Sequence, residues 1–216
     1  MKNVMNKLWI ENKSLIVFIT LMLVFRSAVA DWNDVPTGSM KPTIVEGDRI
    51  LINKLAYDIN MPFTQQSLIK LADPKVNDII IFESKAADKR LVKRVIGVPG
   101  DMVSMSNNEL TINHKKIPYS TKNLTTNKVI IHEKIANNSH TIQLTNSPSD
   151  LASFKAVKVP KDYYLVLGDN RNNSADSRVI GFVPRKEIIG RSSKVVLSLD
   201  YNNYFLPRME RFLLGI

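Results

Sequence analysis

Two residues far apart in the chain have the types that a hydrolytic site needs. Ser39 stands in "PTGSMKPT" (positions 36–43), beside Gly38 in a tight turn and ahead of a β-strand pattern. A serine hydroxyl attacks a carbonyl only when a base takes its proton, and histidine is the usual base. The chain has three histidines, His114, His132 and His140, and none lies in a segment that reads as a site. Their spacing does not suit a metal, so no bound metal or other cofactor is expected. Cysteine is absent, which removes thiol nucleophiles, thiolate metal sites and disulfides.

Lysine is the remaining side chain that can serve as the base. A free lysine has a pKa of about 10.4 and is neutral about once in a thousand at pH 7; lowering that to roughly 7–8 takes burial among apolar groups, each unit costing about 1.4 kcal/mol. "RLVKRVIGV" places Lys93 in a strand whose alternation groups it with Leu91 and Val95, while Arg94 falls on the other face with Val92 and Ile96. One basic residue is then desolvated while the other stays in water. On residue type alone, a lysine snorkelling at a strand edge is the commoner case. Lys41 is closer to Ser39 in sequence, but it sits beside Pro42 in the same exposed turn and misses the S-x-x-K spacing that stacks serine and lysine on a helix.

The elements that must position these residues are mostly strands. "DRILINKLAY" alternates, with Ile50 and Ile52 on one face and Leu51 and Asn53 on the other. "MPFTQQSLIKLADPKVND" reads as a hairpin extension and "DIIIFES" as a buried strand. "KRLVKRVIGVPGDMVSM" reads as two strands joined at a type II turn at Pro99-Gly100. From about 104 to 160 the composition shifts to Asn, Ser, Thr and Lys, which predicts a small β-rich insertion. "DYYLVLGDN", the polar loop "RNNSADSR" and further strand complete the chain. The predicted fold class is an all-β core of mostly antiparallel sheets (31–103 and 161–216), carrying the inserted domain (104–160) and preceded by one transmembrane helix.

That helix is expected at positions 14–30. Lys2, Lys7 and Lys13 precede the apolar run "SLIVFITLMLVF" (14–25), with Arg26 and Trp32 suited to the far interface. Positions 1–13 would stay in the cytoplasm and everything after 30 would be exported. A signal peptide cleaved after Ala30 fits the segment equally. A net charge of +10 calls for an anionic partner. The basic residues are scattered without a zinc or aromatic RNA-binding pattern, so acidic lipid is expected and nucleic acid is not. The tail "DYNNYFLPRMERFLLGI" reads as an interfacial patch with Arg208 and Arg211, or as an ordinary docked terminus.

Three stretches, "PTGSMKPT" with "GDRILINKLAY", "KRVIGVPGD", and "GDNRNNSADSRVIGFVP", in that order behind one apolar segment, closely resemble the signature blocks of bacterial type I signal peptidases. The likeness covers about 14–103 and 161–200. It implies Ser39 as nucleophile and Lys93 as general base, with Ser174 orienting the lysine amine. Asp176, Arg178 and Asp169 would form the supporting network, for which a plain hydrogen-bonded turn is the other reading. The oxyanion donors implied are the Ser39 backbone N–H and the Thr37 hydroxyl. Pocket walls would be Val35, Pro36, Met40, Ile44, Leu91 and Val92, each equally a core residue by type. The substrates implied are secreted preproteins, bound as an added strand and cut after small residues at −3 and −1 at the outer face of the cytoplasmic membrane. Asn172 departs from the aspartate of some members. A narrower maturation protease and a non-catalytic, membrane-tethered β module are the alternatives.

Overall fold

The computed structural model describes residues 2–64, 66–124, 128–136, 138–146 and 149–216. The parts of the expected segments at positions 1, 65, 125–127, 137, 147 and 148 lie outside them. Helix α1 (Lys2–Ala28) starts well before the expected span and ends two residues short of it, because Ala30 already begins strand β1 (Ala30–Asp34). No helix among the described residues is long and apolar enough to cross a membrane. The run 14–25 rises only about 18 Å at ~1.5 Å per residue, against a hydrocarbon layer of about 30 Å.

Strand β2 (Asp48–Asn53) pairs antiparallel with β1 and alternates as the sequence predicts, with Ile50 and Ile52 fully buried and Arg49 and Asn53 exposed. Strands β3 (Asp58–Asn60) and β4 (Ser67–Lys70) form a hairpin, of which only β4 lies in the stretch 61–78 expected to make one; its partner β3 precedes that stretch. Strand β5 (Ile79–Ser84), buried on both faces, pairs along its length with β6 (Lys89–Gly97). The turn that follows has Asp101 N donating to Val98 O at 3.0 Å and Gly100 at φ +95°, where a side chain would be strained.

The chain then leaves β6 rather than folding back on it. Strands β7 (Met102–Ser106), β8 (Glu109–Ile112) and β9 (Lys115–Lys116) begin a second sheet. Strands β10 (Tyr119–Leu124), β11 (Lys128–Ile135) and β12 (Asn138–Thr145) make a third, and β13 (Phe154–Lys158) returns to β7. These sheets share a core with the main one: Val103, Met105, Leu110, Ile135 and Val159 pack with Ile96, Leu165 and Leu167. Strand β14 (Tyr163–Leu167), helix α2 (Ser177–Ile180), β15 (Val183–Pro184), β16 (Ile188–Asp200) and β17 (Leu206–Pro207) complete the fold.

The main sheet is antiparallel, in the order β1-β2-β16-β5-β6-β14-β15, with β17 on β16. The core is thus all-β, as the sequence predicts. Along a flat sheet β1 and β6 would lie about 19 Å apart, at ~4.8 Å per strand. Yet Arg90 Nη1 on β6 donates to Asn33 Oδ1 on β1 at 3.4 Å. The sheet therefore curls, as twisted strands do, and brings the β1–β2 loop over β6. Val35, Met40 and Ile44 anchor that loop in a cluster with Ile50, Ile52, Ile79, Ile81 and Val195.

In the tail, Arg208 and Arg211 turn inward instead of flanking a patch. Arg211 donates to Asp48 from Nε at 2.8 Å and from Nη2 at 2.6 Å, and Arg208 Nη2 pairs with Asp200 at 3.0 Å. Buried Asp48 requires such a partner. Exposed apolar side chains there are Tyr204, Phe205, Leu206, Met209, Phe212 and Leu213, alongside exposed Asn202, Asn203 and Glu210.

Candidate active site

The curl of the sheet brings the two ends of the chain's chemistry together. Lys93 Nζ lies 2.8 Å from Ser39 Oγ and donates to Val92 O at 2.9 Å. Lys93 is only 2% exposed. Burial pushes its ammonium down to about 8; Lys89 adds to the shift, while Asp176 and Asp169 work against it. At pH 7 about one amine in ten is then neutral and able to accept a proton. No histidine takes part: His114 is exposed in a turn, His132 contacts Thr141, and His140 lies beside Glu133 in the inserted sheets. Lys41 is engaged by Glu46.

Arg94 departs from the expectation that it stays in water. It is 4% exposed and grips Asp169 with Nε–Oδ1 at 2.9 Å and Nη2–Oδ2 at 2.8 Å, while Nη1 donates to Asn77 O. Both faces of β6 are covered, so alternation separates the two cations without exposing either. Burial alone would raise the Asp169 carboxyl; Arg94 outweighs it, with help from the Thr43 hydroxyl, and holds it below the usual carboxylate range. The pair fixes the loop after β14 against β6.

The polar loop 171–178 is anchored from inside, with Asn173 and Ala175 left exposed on the cleft. Arg171 is fully buried, bidentate on Glu133 of β11. Asp176 is also fully buried: its Oδ2 accepts from Gly168 N at 2.9 Å and its carboxylate receives Arg178 Nε and Nη2. Arg178 donates on to the carbonyls of Leu151 and Arg171. Asp176 and Arg178 thus hold the loop in shape without touching Ser39 or Lys93. Ser174 Oγ is buried in the same loop but makes no hydrogen bond. The expected bond to the lysine is not formed, because the amine is turned to Ser39 and Val92.

Gly168 is where these groups meet. A Cβ there would fall 2.2 Å from Ser174 Oγ and 2.5 Å from the Ser39 carbonyl oxygen. Gly168→Ala is accordingly expected to destabilise the fold by about 1–3 kcal/mol through overpacking. Urea unfolding would measure that loss, and peptide turnover should fall with it because Ser39 is displaced.

A cleft of about 370 Å³ opens beside the pair, lined by Val35, Pro36, Thr37, Met40, Leu91 and Val92 along with Ser39 and Lys93. Thr37 is exposed on its wall. Ile44 does not line it: fully buried, it packs behind Val35 and Met40. On the side away from β5, β6 meets β14 only from Arg94 to Gly97. Residues 89–93 therefore leave a free strand edge along the cleft. Sequence reasoning missed Thr43 and Asn170, the latter bonded to both Gly38 O and Ser39 O. Only its place beside Asp169, directly after the buried strand, could have drawn attention to it.

Known proteins match over most of the chain. A signal peptidase I of Buchnera aphidicola (Schizaphis graminum) is 30% identical over 252 residues, covering 90% of this chain and 79% of the relative. One from Pseudomonas fluorescens is 31% identical, covering 86% and 71%. Signal peptidase I P of Bacillus subtilis natto is 33% identical over 193 residues, covering 89% of each. The family model described as signal peptidase, peptidase S26, matches residues 8–197, a range that holds Ser39, Lys93 and the buried 168–178 loop. With a serine and a neutralisable lysine joined at the mouth of a peptide-sized cleft, the chain belongs to the signal peptidase family, peptidase S26.

Proposed function

We propose that this chain is a membrane-bound endopeptidase that removes N-terminal signal peptides from exported preproteins, with Ser39 as nucleophile and Lys93 as general base. The observation that carries the reading is a 2.8 Å contact between a hydroxyl and an amine kept out of water. Ser39 Oγ attacks the scissile carbonyl as its proton passes to Lys93 Nζ. The Ser39 N–H and the Thr37 hydroxyl receive the oxyanion. The Lys93 ammonium then protonates the leaving amine, and a water activated by the same amine hydrolyses the acyl-enzyme. Ser174 would orient the lysine only after the amine turns toward it: its buried oxygen makes no hydrogen bond as the site stands, and a remaining N–H of the amine is the donor assigned to it.

The substrate lies extended along the free edge of residues 89–93, adding a strand to β6. The walls formed by Val35, Pro36, Met40, Leu91 and Val92 leave room for small side chains. A peptide with an Ala-x-Ala site, incubated with the detergent-solubilised full chain, should be cut after the second alanine, as read by mass spectrometry. Leucine at −1 should lower kcat/KM by about 100-fold or more. A narrower maturation protease would reject most such sequences, and a binding module would cut none.

Membrane attachment rests on the exposed apolar side chains of α1 between Leu15 and Phe25, which need cover from lipid. Lys2, Lys7 and Lys13 give the charge bias of an amino terminus on the cytoplasmic side with the catalytic sheets outside, a topology that the apolar run of α1 is too short to supply by itself. Arg26 stacks on Trp32 at 4.6 Å where α1 meets β1, a pairing suited to the interface.

A further inference from the structure

We propose that Asn170 is a positioning residue that aims the backbone oxyanion donor of Ser39. The proposal rests on the reading of Ser39 as nucleophile given above. The Gly38 C=O and the Ser39 N–H belong to one planar trans peptide, so they point in opposite directions. Whatever fixes the carbonyl therefore fixes the direction of the N–H.

Gly38 O accepts two hydrogen bonds, from Lys41 N at 3.1 Å within the turn and from Asn170 Nδ2 at 2.9 Å. The first is local and leaves the plane free to rock; the second arrives from the far side of the fold. Asn170 also holds the next peptide, since its own N–H donates to Ser39 O at 3.1 Å. Both peptide planes flanking the nucleophile are thus gripped by one residue. Gly38 O can only accept, so the orientation of the Asn170 amide is settled by its partner.

Asn170 is itself held from the inserted sheets. Gln143 of β12 bridges to it: Gln143 N donates to Asp169 O at 2.8 Å and Gln143 O accepts from Arg171 N at 3.0 Å. Gln143 Nε2 also lies 3.4 Å from Asn170 Oδ1. Asn170 is 3% exposed, and Gly38 is buried with it. With the carbonyl turned inward, the Ser39 N–H is directed to the cleft side. That N–H makes no hydrogen bond within the described residues. An unpaired backbone donor beside a nucleophile, its peptide clamped from behind, is what a preorganised oxyanion site requires.

Asn170→Ala should lower kcat for peptide cleavage about 10- to 30-fold with KM changed less than about twofold. Asn170→Asp, nearly isosteric, sets an acceptor against Gly38 O and should do no better. Two inhibitors separate aiming from general damage. A peptide aldehyde with Ala at −1 forms a hemiacetal oxyanion and should lose affinity for Asn170→Ala by about the same factor as kcat. The matching peptide alcohol forms none and should lose less than about twofold. The pH midpoint of turnover should stay in place, because Lys93 is not touched.

Equal weakening of aldehyde and alcohol, an unchanged kcat, or a moved pH midpoint would each overturn the positioning role. Should Asn170→Ala fail to fold, the near-isosteric aspartate variant carries the aldehyde–alcohol comparison, but not the pH midpoint, since a carboxylate there would itself act on Lys93. Ser39→Ala keeps the two readings apart: full turnover in that variant removes the nucleophile assignment. Its inactivity beside a fully active Asn170→Ala removes only the present inference.

Discussion

Lys93→Arg is expected to be as inactive as Ser39→Ala, with kcat for cleavage of an Ala-x-Ala peptide reduced about 10⁴-fold or more and KM nearly unchanged. The charge is kept and the length is similar, so a lysine that merely paired with acids or braced the sheet would tolerate the change. A general base does not, because guanidinium cannot release its proton near neutral pH. The planar head is also larger than the slot between Ser39 Oγ and Val92 O, two acceptors already within 2.9 Å of Nζ. Removing both residues together should cost little more than removing either, since each is useless without the other. Single-turnover assays on detergent-solubilised protein would read the effect. Retention of more than about a hundredth of the wild-type rate in Lys93→Arg would end the serine–lysine assignment.

What the sequence makes legible follows from which interactions are local. Ile50 and Ile52 declare their buried face by alternation, and Pro99-Gly100 declares its turn, because both depend on neighbours in the chain. Lys93 and Leu91 are legible as one face of β6 for the same reason. The fate of Arg94 is not. Its burial depends on Asp169, 75 positions away, and no periodicity in β6 predicts that a carboxylate arrives there. Ile44 and Val35 look alike as apolar residues of one loop, yet only Val35 reaches the cleft, since Ile44 packs beneath it. The loop from Arg171 to Arg178 reads only as polar by composition, yet Arg171, Ser174 and Asp176 are buried. Its burial is tolerated because Glu133, Asp176 and three backbone groups, Gly168 N and the carbonyls of Leu151 and Arg171, satisfy it across the fold. Ser174 lies in the right neighbourhood but not in the expected bond. A family resemblance locates a residue; hydrogen-bond geometry needs the packed neighbours.

A buried amine also makes activity and stability respond to pH together. Turnover needs Lys93 neutral, so kcat/KM should rise about tenfold per pH unit in the acid limb and level off near pH 8, the value to which burial lowers this lysine. For stability, the folded state holds Lys93 near 8 while the unfolded chain leaves it near its ordinary 10.5. Between those values the unfolded state binds more protons, so this group's contribution to stability grows as pH rises across the window. Below about pH 8 both states carry the charge and the folded protein bears the whole penalty, about 3 kcal/mol. Lys93→Met, similar in shape and uncharged, should therefore be inactive yet more stable than wild type at pH 6.5. The gain should be about 2–3 kcal/mol after subtracting the bond lost at Val92 O. At pH 9.5 the gain should shrink to about 1 kcal/mol or less. Urea unfolding of both proteins at the two pH values makes the comparison, and other titrating groups cancel in the difference. A methionine variant that is less stable than wild type at pH 6.5, or a difference that ignores pH, would mean that the ammonium is comfortable where it sits. An amine comfortable as a cation is already protonated at neutral pH and has no free lone pair to take a proton from Ser39.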